Sequence, residues 1–402
     1  MSEASLLFEG LNVLDVGSWI AAPVATTMLA DMGATVIKVE EPKMGDAYRN
    51  FANLPFTPTA DVNYAWAADN RNKRAIGLNL RDPQGLAILK QLIAQCDVYV
   101  TNQPLPLRRE LGLMYEDLRA DNQSMIYASI TAYGEEGPER DREGFDLVAY
   151  WARAGLMDMV RPVGGEPAQA LPGMGDHPTA VALYANIVTA LLRKERTGKG
   201  ARVHTSLLAN GLFAGTCISQ AVFADADFSS YRHPQFAHFN RALYQTADDG
   251  WLQFTMVRSP EEFDRLVIAM ERFDLLADER FTSPDARFEN YSALVAEIRT
   301  AVIQKTVEQW VQIFAEANVP ASVMGQMTRI ADDPQIALNQ MTRPPAEDIG
   351  LDRVIQDPIN VEGVARVGAK KAPELGEHTD AVLAELGYSP EQIQQLHSAG
   401  VV

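Results

Sequence analysis

The first forty residues carry the pattern that most restricts how this chain folds. Residues 11–17 form a short apolar run that ends in Gly17. Ser18 then caps a helix that runs through Thr26 and Met28 to Asp31 and closes at Gly33. Residues 34–40 form a second apolar, β-branched run. Strand, helix and strand within about 30 residues make a βαβ unit, which requires parallel strands and a right-handed crossover. The pattern continues with strands at 75–80, 97–101, 125–130 and 202–206. The intervening helices run from Pro83 to Cys96, opened by Asp82-Pro83, and over 180–193. This alternation predicts a doubly wound, Rossmann-like α/β fold.

The pattern changes after residue 220. Residues 221–240 mix His233 and His238 with Phe and Tyr, show no period and read as a linker. Residues 243–255 are two alternating runs around Asp249-Gly250, the signature of a hairpin. Helical patterns at 260–275, 289–304 and 306–317 complete a small α+β domain. The segment 341–358 is a loop punctuated by Pro and Arg, and two further helical patterns occupy 379–400.

Charge narrows the partners. The formal net charge is −18, so the average surface repels polyanions; nucleic acid and anionic membrane surfaces are not expected partners. Residues 1–10 show no cationic region before an apolar run, and no stretch of about 18 apolar residues exists, so neither a secretory signal nor a membrane span is expected. Cys96 and Cys217 sit in apolar stretches and read as buried thiols of a cytoplasmic protein. Six scattered histidines offer no metal spacing, and no metal is expected.

The usual nucleotide signatures are missing. Where a dinucleotide-binding fold carries Gly-x-Gly-x-x-Gly, this chain reads Gly17-Ser-Trp-Ile-Ala-Ala-Pro23. Two basic clusters flank sheet strands, where α/β ligand crevices form: Arg71, Lys73 and Arg74 in one, Arg108 and Arg109 in the other. They are either solvated loop surface or a site for an anionic ligand. Asp176 lies in Leu171-Pro-Gly-Met-Gly-Asp-His-Pro178, directly before a helix. Two glycines there allow close backbone approach to a ligand, and Asp176 also suits a helix cap. Asp146, in Gly144-Phe145-Asp146, has the same two readings, with a helix at 147–157 to cap.

Several motifs then fall in one order. They are Leu14-Asp15-x-Gly17-x-x-x-Ala21-x-Pro23, Met32-Gly-Ala-x-Val-Ile-Lys-Val-Glu40, Gly45-Asp46 and Asn70-x-Asn-Lys-Arg74. Asn102, Ser129-x-x-x-Tyr133-Gly134, Gly137-Pro138, Gly144-Phe-Asp146 and Gly155-Leu-Met157 follow. Arg196-Thr-Gly-x-Gly200, Asp249-Gly250, Asn318-Val-Pro320 and Pro373-x-Leu-Gly-Glu-His-Thr-Asp380 complete the series. Together they resemble the class III, formyl-CoA transferase-like CoA-transferases, a superfamily shared with α-methylacyl-CoA racemases.

The resemblance implies an acyl-CoA:carboxylate CoA-transferase. Asp176 would be its nucleophile, working through aspartyl anhydride and aspartyl-CoA thioester intermediates. Coenzyme A enters as a substrate moiety, with no permanently bound cofactor. The partners implied are acyl-CoA, a carboxylic acid and a second copy of the chain. Ser18, Trp19, Ala21, Asn102 and Tyr133 are implied as CoA contacts, and Ile20, Phe145 and Tyr150 as the acyl pocket. The family's CoA-contacting arginine after the second strand is Glu41 here, so Arg71, Lys73, Arg74, Arg108 and Arg109 are left to hold the phosphates. The resemblance also implies a large domain from 1–220 and 329–402, a linker at 221–240, a small domain at 241–328, and an interlocked, ring-like homodimer.

Two other readings stay open. A racemase needs a proton-transfer pair, and its histidine position is Phe145 here, which cannot titrate. The third reading is a non-catalytic acyl-CoA-binding homologue, against which the retained Asp176 argues. The family's active-site glutamine is Ile20 here, beside Trp19, and its glycine-rich lid is not visible at 240–245. An apolar wall leaves a small dianion unpaired, so a larger, more hydrophobic acyl group is expected rather than formate or oxalate.

Overall fold

The computed structural model describes residues 6–55, 57–161, 164–229, 231, 238–254, 257 and 259–402. Six strands form one all-parallel sheet: β1 (Asn12–Val16), β2 (Thr35–Glu40), β3 (Arg74–Gly77), β4 (Val98–Thr101), β5 (Ile126–Thr131) and β6 (Ala201–Ser206). Their spatial order is β3-β2-β1-β4-β5-β6. The order reverses between β1 and β4, and at such a switch point the loops after the strands part to leave a crevice.

Strand alternation explains why both faces are covered. Val13, Val36, Val98, Val100, Ile126 and Ala128 point to one face and pack with helix α1 (Ala21–Asp31) and the long helix Asp176–Thr197. Leu14, Ile76, Tyr99 and Tyr127 point to the other, against α3 (Pro83–Gln95) and the C-terminal helices Thr379–Glu385 and Pro390–Ser398. A sheet buried on both faces needs apolar residues at consecutive positions, which is what the strands supply. Asp82 caps α3 by accepting the Gln84 amide at 2.8 Å, with Pro83 at the first turn.

The chain divides into two compact units, one holding residues 1–162, 166–220 and 337–402, the other 163–165 and 221–336. In the first, the tail supports the sheet edge. The Thr379 hydroxyl accepts the Gly77 amide at 3.0 Å, and Asn79 donates to the Val401 carbonyl at 2.8 Å. β3 is shorter than the expected 75–80, although the Leu78 amide still donates to the Glu40 carbonyl of β2 at 2.8 Å. In the second unit, β7 (Leu243–Gln245), β8 (Trp251–Phe254) and β9 (Ala321–Val323) form an antiparallel sheet. Asp249, at φ 59°, and Gly250 make the expected turn between β7 and β8. Tyr244, Phe254, Phe263, Trp310 and Phe314 fill this unit's core.

Several local expectations are corrected. Ser18 does not cap α1; the helix starts at Ala21, after a left-handed step at Trp19 (φ 62°). Cys96 is buried, but Cys217 is exposed, on a helix (Thr216–Phe223) with no buried residue. Within 341–358, Thr342–Arg343 pairs with Val354–Ile355 as a two-residue ladder. Within the expected linker, residues 230 and 232–237, His233 included, lie outside the described residues, as do residues 1–5 and Thr255, while its first three residues are the end of the helix Thr216–Phe223. Among the described residues no helix is long and apolar enough to cross a membrane.

The centre of the first unit is charged. Lys73 and Asp15 are fully buried and meet at 2.8 Å; Lys38 and Asp46, equally shielded, meet at 2.9 Å. Lys73 also donates to the Pro23 carbonyl and to Asn70, and the Thr26 hydroxyl donates to Asp15. Burial lowers Lys73 to about 8 against the pull of Asp15. Removing one partner strands the other charge, which typically costs about 3–5 kcal/mol. Lys73→Met is therefore expected to lower unfolding stability by that order, read from the urea midpoint at neutral pH.

Candidate active site

A cavity of about 210 Å³ opens at the switch point. Its walls come from the ends of three strands: Ser18–Ala21 after β1, Asn102–Leu105 after β4, and Ile130–Ala132 at the end of β5. Residues 140–145, Asp176 and Leu207 close it.

The turn after β1 is held from both sides. Asn102 accepts the Ser18 amide at 2.8 Å and donates to the Ser18 carbonyl at 2.7 Å, joining the two loops at the reversal. Asp46 accepts the Trp19 amide at 3.0 Å while pairing with Lys38, which also donates to the Gly17 carbonyl at 3.1 Å. These bonds sustain Trp19 in a left-handed conformation that a bulky L-residue adopts only under constraint. The Trp19 ring meets Phe145 edge-on, with centroids 5.1 Å apart, and Phe145 keeps 57 % of its surface exposed. With buried Ile20, these side chains make an apolar wall.

Asp176 faces this wall from the start of its helix. The preceding turn is tightly specified. Gly173 takes a positive φ of 87°. A Cβ on Gly175 would come within 2.6 Å of the Tyr150 ring, so only glycine fits. Asp146 accepts the Gly175 amide at 3.0 Å. Its side chain therefore fixes the turn under Asp176 instead of capping its own helix, which is a seven-residue π-helical segment, Leu147–Arg153. Among the described residues, none donates a hydrogen bond to the Asp176 carboxylate. Burial, with the carboxylates of Asp146 and Asp69, raises Asp176 to about 7, while His177 opposes the shift.

The expected site residues divide sharply. Asp176, Ser18, Trp19, Ile20, Ala21, Asn102 and Phe145 all line the cavity. Tyr150 does not; it is buried beneath Gly175. Tyr133 lies behind the rim, under the Arg142 guanidinium at 5.2 Å. Three of the five cations expected to hold phosphates are internal. Lys73 is spent on Asp15. Arg71 is buried against Asp31. Arg108 is fully buried, donating to the Gln103 carbonyl at 2.6 Å and the Ile130 carbonyl at 3.3 Å beside Glu135. The desolvation cost of a buried cation is met here by internal anions and carbonyls, so these side chains brace the cavity loops. Arg74 pairs with Glu385 away from the cavity, and Arg109 pairs with Asp141 at its rim.

Arg140 and Arg142, absent from the sequence-based candidates, line the cavity and keep about half their side-chain surface exposed. Their signal was the run Glu139-Arg-Asp-Arg-Glu143 between two glycine motifs, which reads as an ordinary solvated loop.

The raised Asp176 value has a sign. The folded chain holds this proton between 3.8 and about 7, where the unfolded chain releases it, so folding stability falls as pH rises through that window. Asp176→Asn is expected to raise the thermal midpoint above pH 7 and leave it unchanged below 3.8, measured by calorimetry across pH.

Comparison with known proteins agrees with this architecture. The family description "CoA-transferase family III" matches residues 8–379. The (R)-2-hydroxy-4-methylpentanoate CoA-transferase of Clostridioides difficile is 31 % identical, over 99 % of this chain and 100 % of that one. The cinnamoyl-CoA:phenyllactate CoA-transferase of Clostridium sporogenes is 30 % identical, over 98 % and 97 %. A crystal structure of a CAIB/BAIF family protein from Brucella suis superposes with a TM-score of 0.83 at 28 % identity, over 95 % of this chain and all of that one. The chain belongs to CoA-transferase family III and is an enzyme of CoA transfer.

Proposed function

We propose that this enzyme moves CoA between two carboxylic acids with Asp176 as nucleophile. The observation that carries this reading is the Asp176 carboxylate itself: largely buried, without a hydrogen-bond donor among the described residues, and on the wall of the switch-point cavity. An unsolvated carboxylate is more reactive than a hydrated one, and a thioester has a good thiolate leaving group. One Asp176 oxygen attacks the thioester carbonyl, the C–S bond breaks, and CoA thiolate leaves behind an aspartyl-acyl anhydride. The thiolate then attacks the aspartyl carbonyl, giving aspartyl-CoA thioester and releasing the donor acid as its carboxylate. The acceptor carboxylate attacks that thioester, forming a new anhydride and freeing thiolate. Thiolate attack on its acyl carbonyl yields the new acyl-CoA and restores Asp176. No water or proton is consumed, so exclusion of water is the site's main task.

Trp19, Ile20 and Phe145 favour an apolar acyl group, and the relatives named for branched and aryl 2-hydroxy acids support this choice. Arg140 and Arg142 suit the CoA phosphates, with Arg109 near them through Asp141. The resemblance-based domain division and interlocked homodimer belong to the same reading. The exposed apolar side chains Phe213 and Phe223, at 80 % and 79 % exposure, are compatible with such an interface.

Incubation with an acyl-CoA, followed by acid quench and intact mass, should give a CoA-sized adduct that disappears in Asp176→Ala. Branched or aryl acids should exchange faster than oxalate. Unchanged turnover in Asp176→Ala removes this residue from the mechanism. Arg140→Glu combined with Arg142→Glu should raise KM for acyl-CoA about tenfold at low salt, less at high salt, with kcat little changed. Unchanged KM would place the phosphates elsewhere.

A further inference from the structure

His177, directly after the proposed nucleophile, is absent from the cavity lining, yet both of its ring nitrogens are engaged. Nδ1 lies 2.9 Å from the Gly173 carbonyl and Nε2 lies 3.2 Å from Asp69 Oδ1. Both partners are acceptors. A neutral imidazole carries one N–H and would turn a lone pair toward one of these oxygens; only the imidazolium donates to both. The other Asp69 oxygen accepts the Tyr48 hydroxyl at 2.6 Å, and Tyr48 and Asp69 are both buried. Asp69 ends α2 (Tyr64–Asn70), far in sequence from the glycine turn. A chain Tyr48–Asp69–His177–Gly173 thus ties that helix to the turn that presents Asp176.

We propose that His177, gripped between Asp69 and the Gly173 carbonyl, is a positioning residue. It holds a fixed positive charge beside Asp176 and keeps the glycine turn closed beneath it. This rests on the reading of Asp176 as the nucleophile. The need for such a charge follows from the neighbours. Asp176 faces the carboxylates of Asp146 and Asp69 and the phenol of Tyr48; His177 is the cation acting on it. Two nearby anions favour the protonated acid, which is not nucleophilic. The imidazolium offsets them and sustains the ionised fraction at neutral pH. Partial burial opposes charge on His177, whose side chain keeps 52 % of its surface exposed, but Asp69, the Gly173 carbonyl and Asp176 outweigh it and raise the ring to about 9. Asp69 also faces Lys73 of the buried network, which gives the chain a fixed base.

The test is the pH dependence of single-turnover adduct formation with one acyl-CoA. In His177→Gln the midpoint should move upward, with a loss of about tenfold below the original midpoint for a one-unit move. The high-pH plateau should be retained. His177→Lys, which keeps the charge, should restore most of the low-pH rate. In Asp69→Asn, the His177 ring resonance of the 15N-histidine-labelled full chain should titrate well below its wild-type midpoint. A His177→Gln profile that superimposes on the wild type overturns the proposal, as does an equal loss at every pH, which marks a merely structural role. An unchanged His177 titration in Asp69→Asn overturns it too. A wild-type enzyme that turns over without an Asp176-dependent adduct overturns the nucleophile reading and this proposal with it. A normal adduct with an unmoved midpoint overturns the His177 role alone.

Discussion

Two buried lysine–aspartate pairs under the end of β1 are the constraint on which the site depends. Asp15 points back from the strand to Lys73, and Lys38 reaches across from β2 to Asp46 and the Gly17 carbonyl. Charges fully removed from water survive only with well-placed partners, so each pair admits one arrangement of the segments it joins. Those segments are β1, the start of α1, the loop after β2 and the end of α2. Asp46 passes the constraint to the Trp19 amide, and through it the apolar wall is set in a conformation the isolated tetrapeptide would not choose.

The opposite wall uses a different device. Tyr150 leaves space only for glycine before Asp176, Asp146 accepts that glycine's amide, and the turn they enforce delivers a carboxylate with no donor of its own among the described residues. A carboxylate left unbonded is a destabilising feature in a folded protein and a useful one in a site. In the proposed mechanism, the same burial that costs stability would raise its reactivity toward a thioester. Arg108, fully buried between the loops after β4 and β5, supports the third side of the cavity from behind. The molecule therefore keeps Lys38, Arg71, Lys73 and Arg108 for internal scaffolding and leaves Arg140 and Arg142 at the opening.

Much of the fold was legible because it is periodic. Strand-like runs alternating with helical ones located all six parallel strands, the first two with Gly17 and Gly33 at a boundary, and Asp82-Pro83 and Asp249-Gly250 marked a helix start and a hairpin turn by local chemistry alone. Asp176 was legible as a candidate only because it follows two glycines and precedes a helix, and the ordered motifs then implied the family's nucleophile position for it. The basic clusters misled for a physical reason. A lysine or arginine in a loop-like sequence is usually solvated, and nothing local reveals that Asp15, Asp31 or Glu135 waits in the interior to pair with it. Arg140 and Arg142 were overlooked for the converse reason, since an alternating charge run looks the same whether it faces bulk water or the mouth of a cavity.

By itself, the sequence determined the α/β alternation, the parallel sheet it requires, the ordered family motifs and the carboxylate at position 176. These rest on interactions between residues close in the chain, or on matches read along it. Only the tertiary structure decided which charges are buried and which stay exposed, as Arg142 does while paired with Glu139 at 2.7 Å. It alone brought Asp69 to His177, Asp46 to Trp19, and Asn102 to Ser18. Each of those contacts joins segments whose separation along the chain is bridged by the order of the strands, and strand order is settled by packing the whole sheet rather than by any one of its parts.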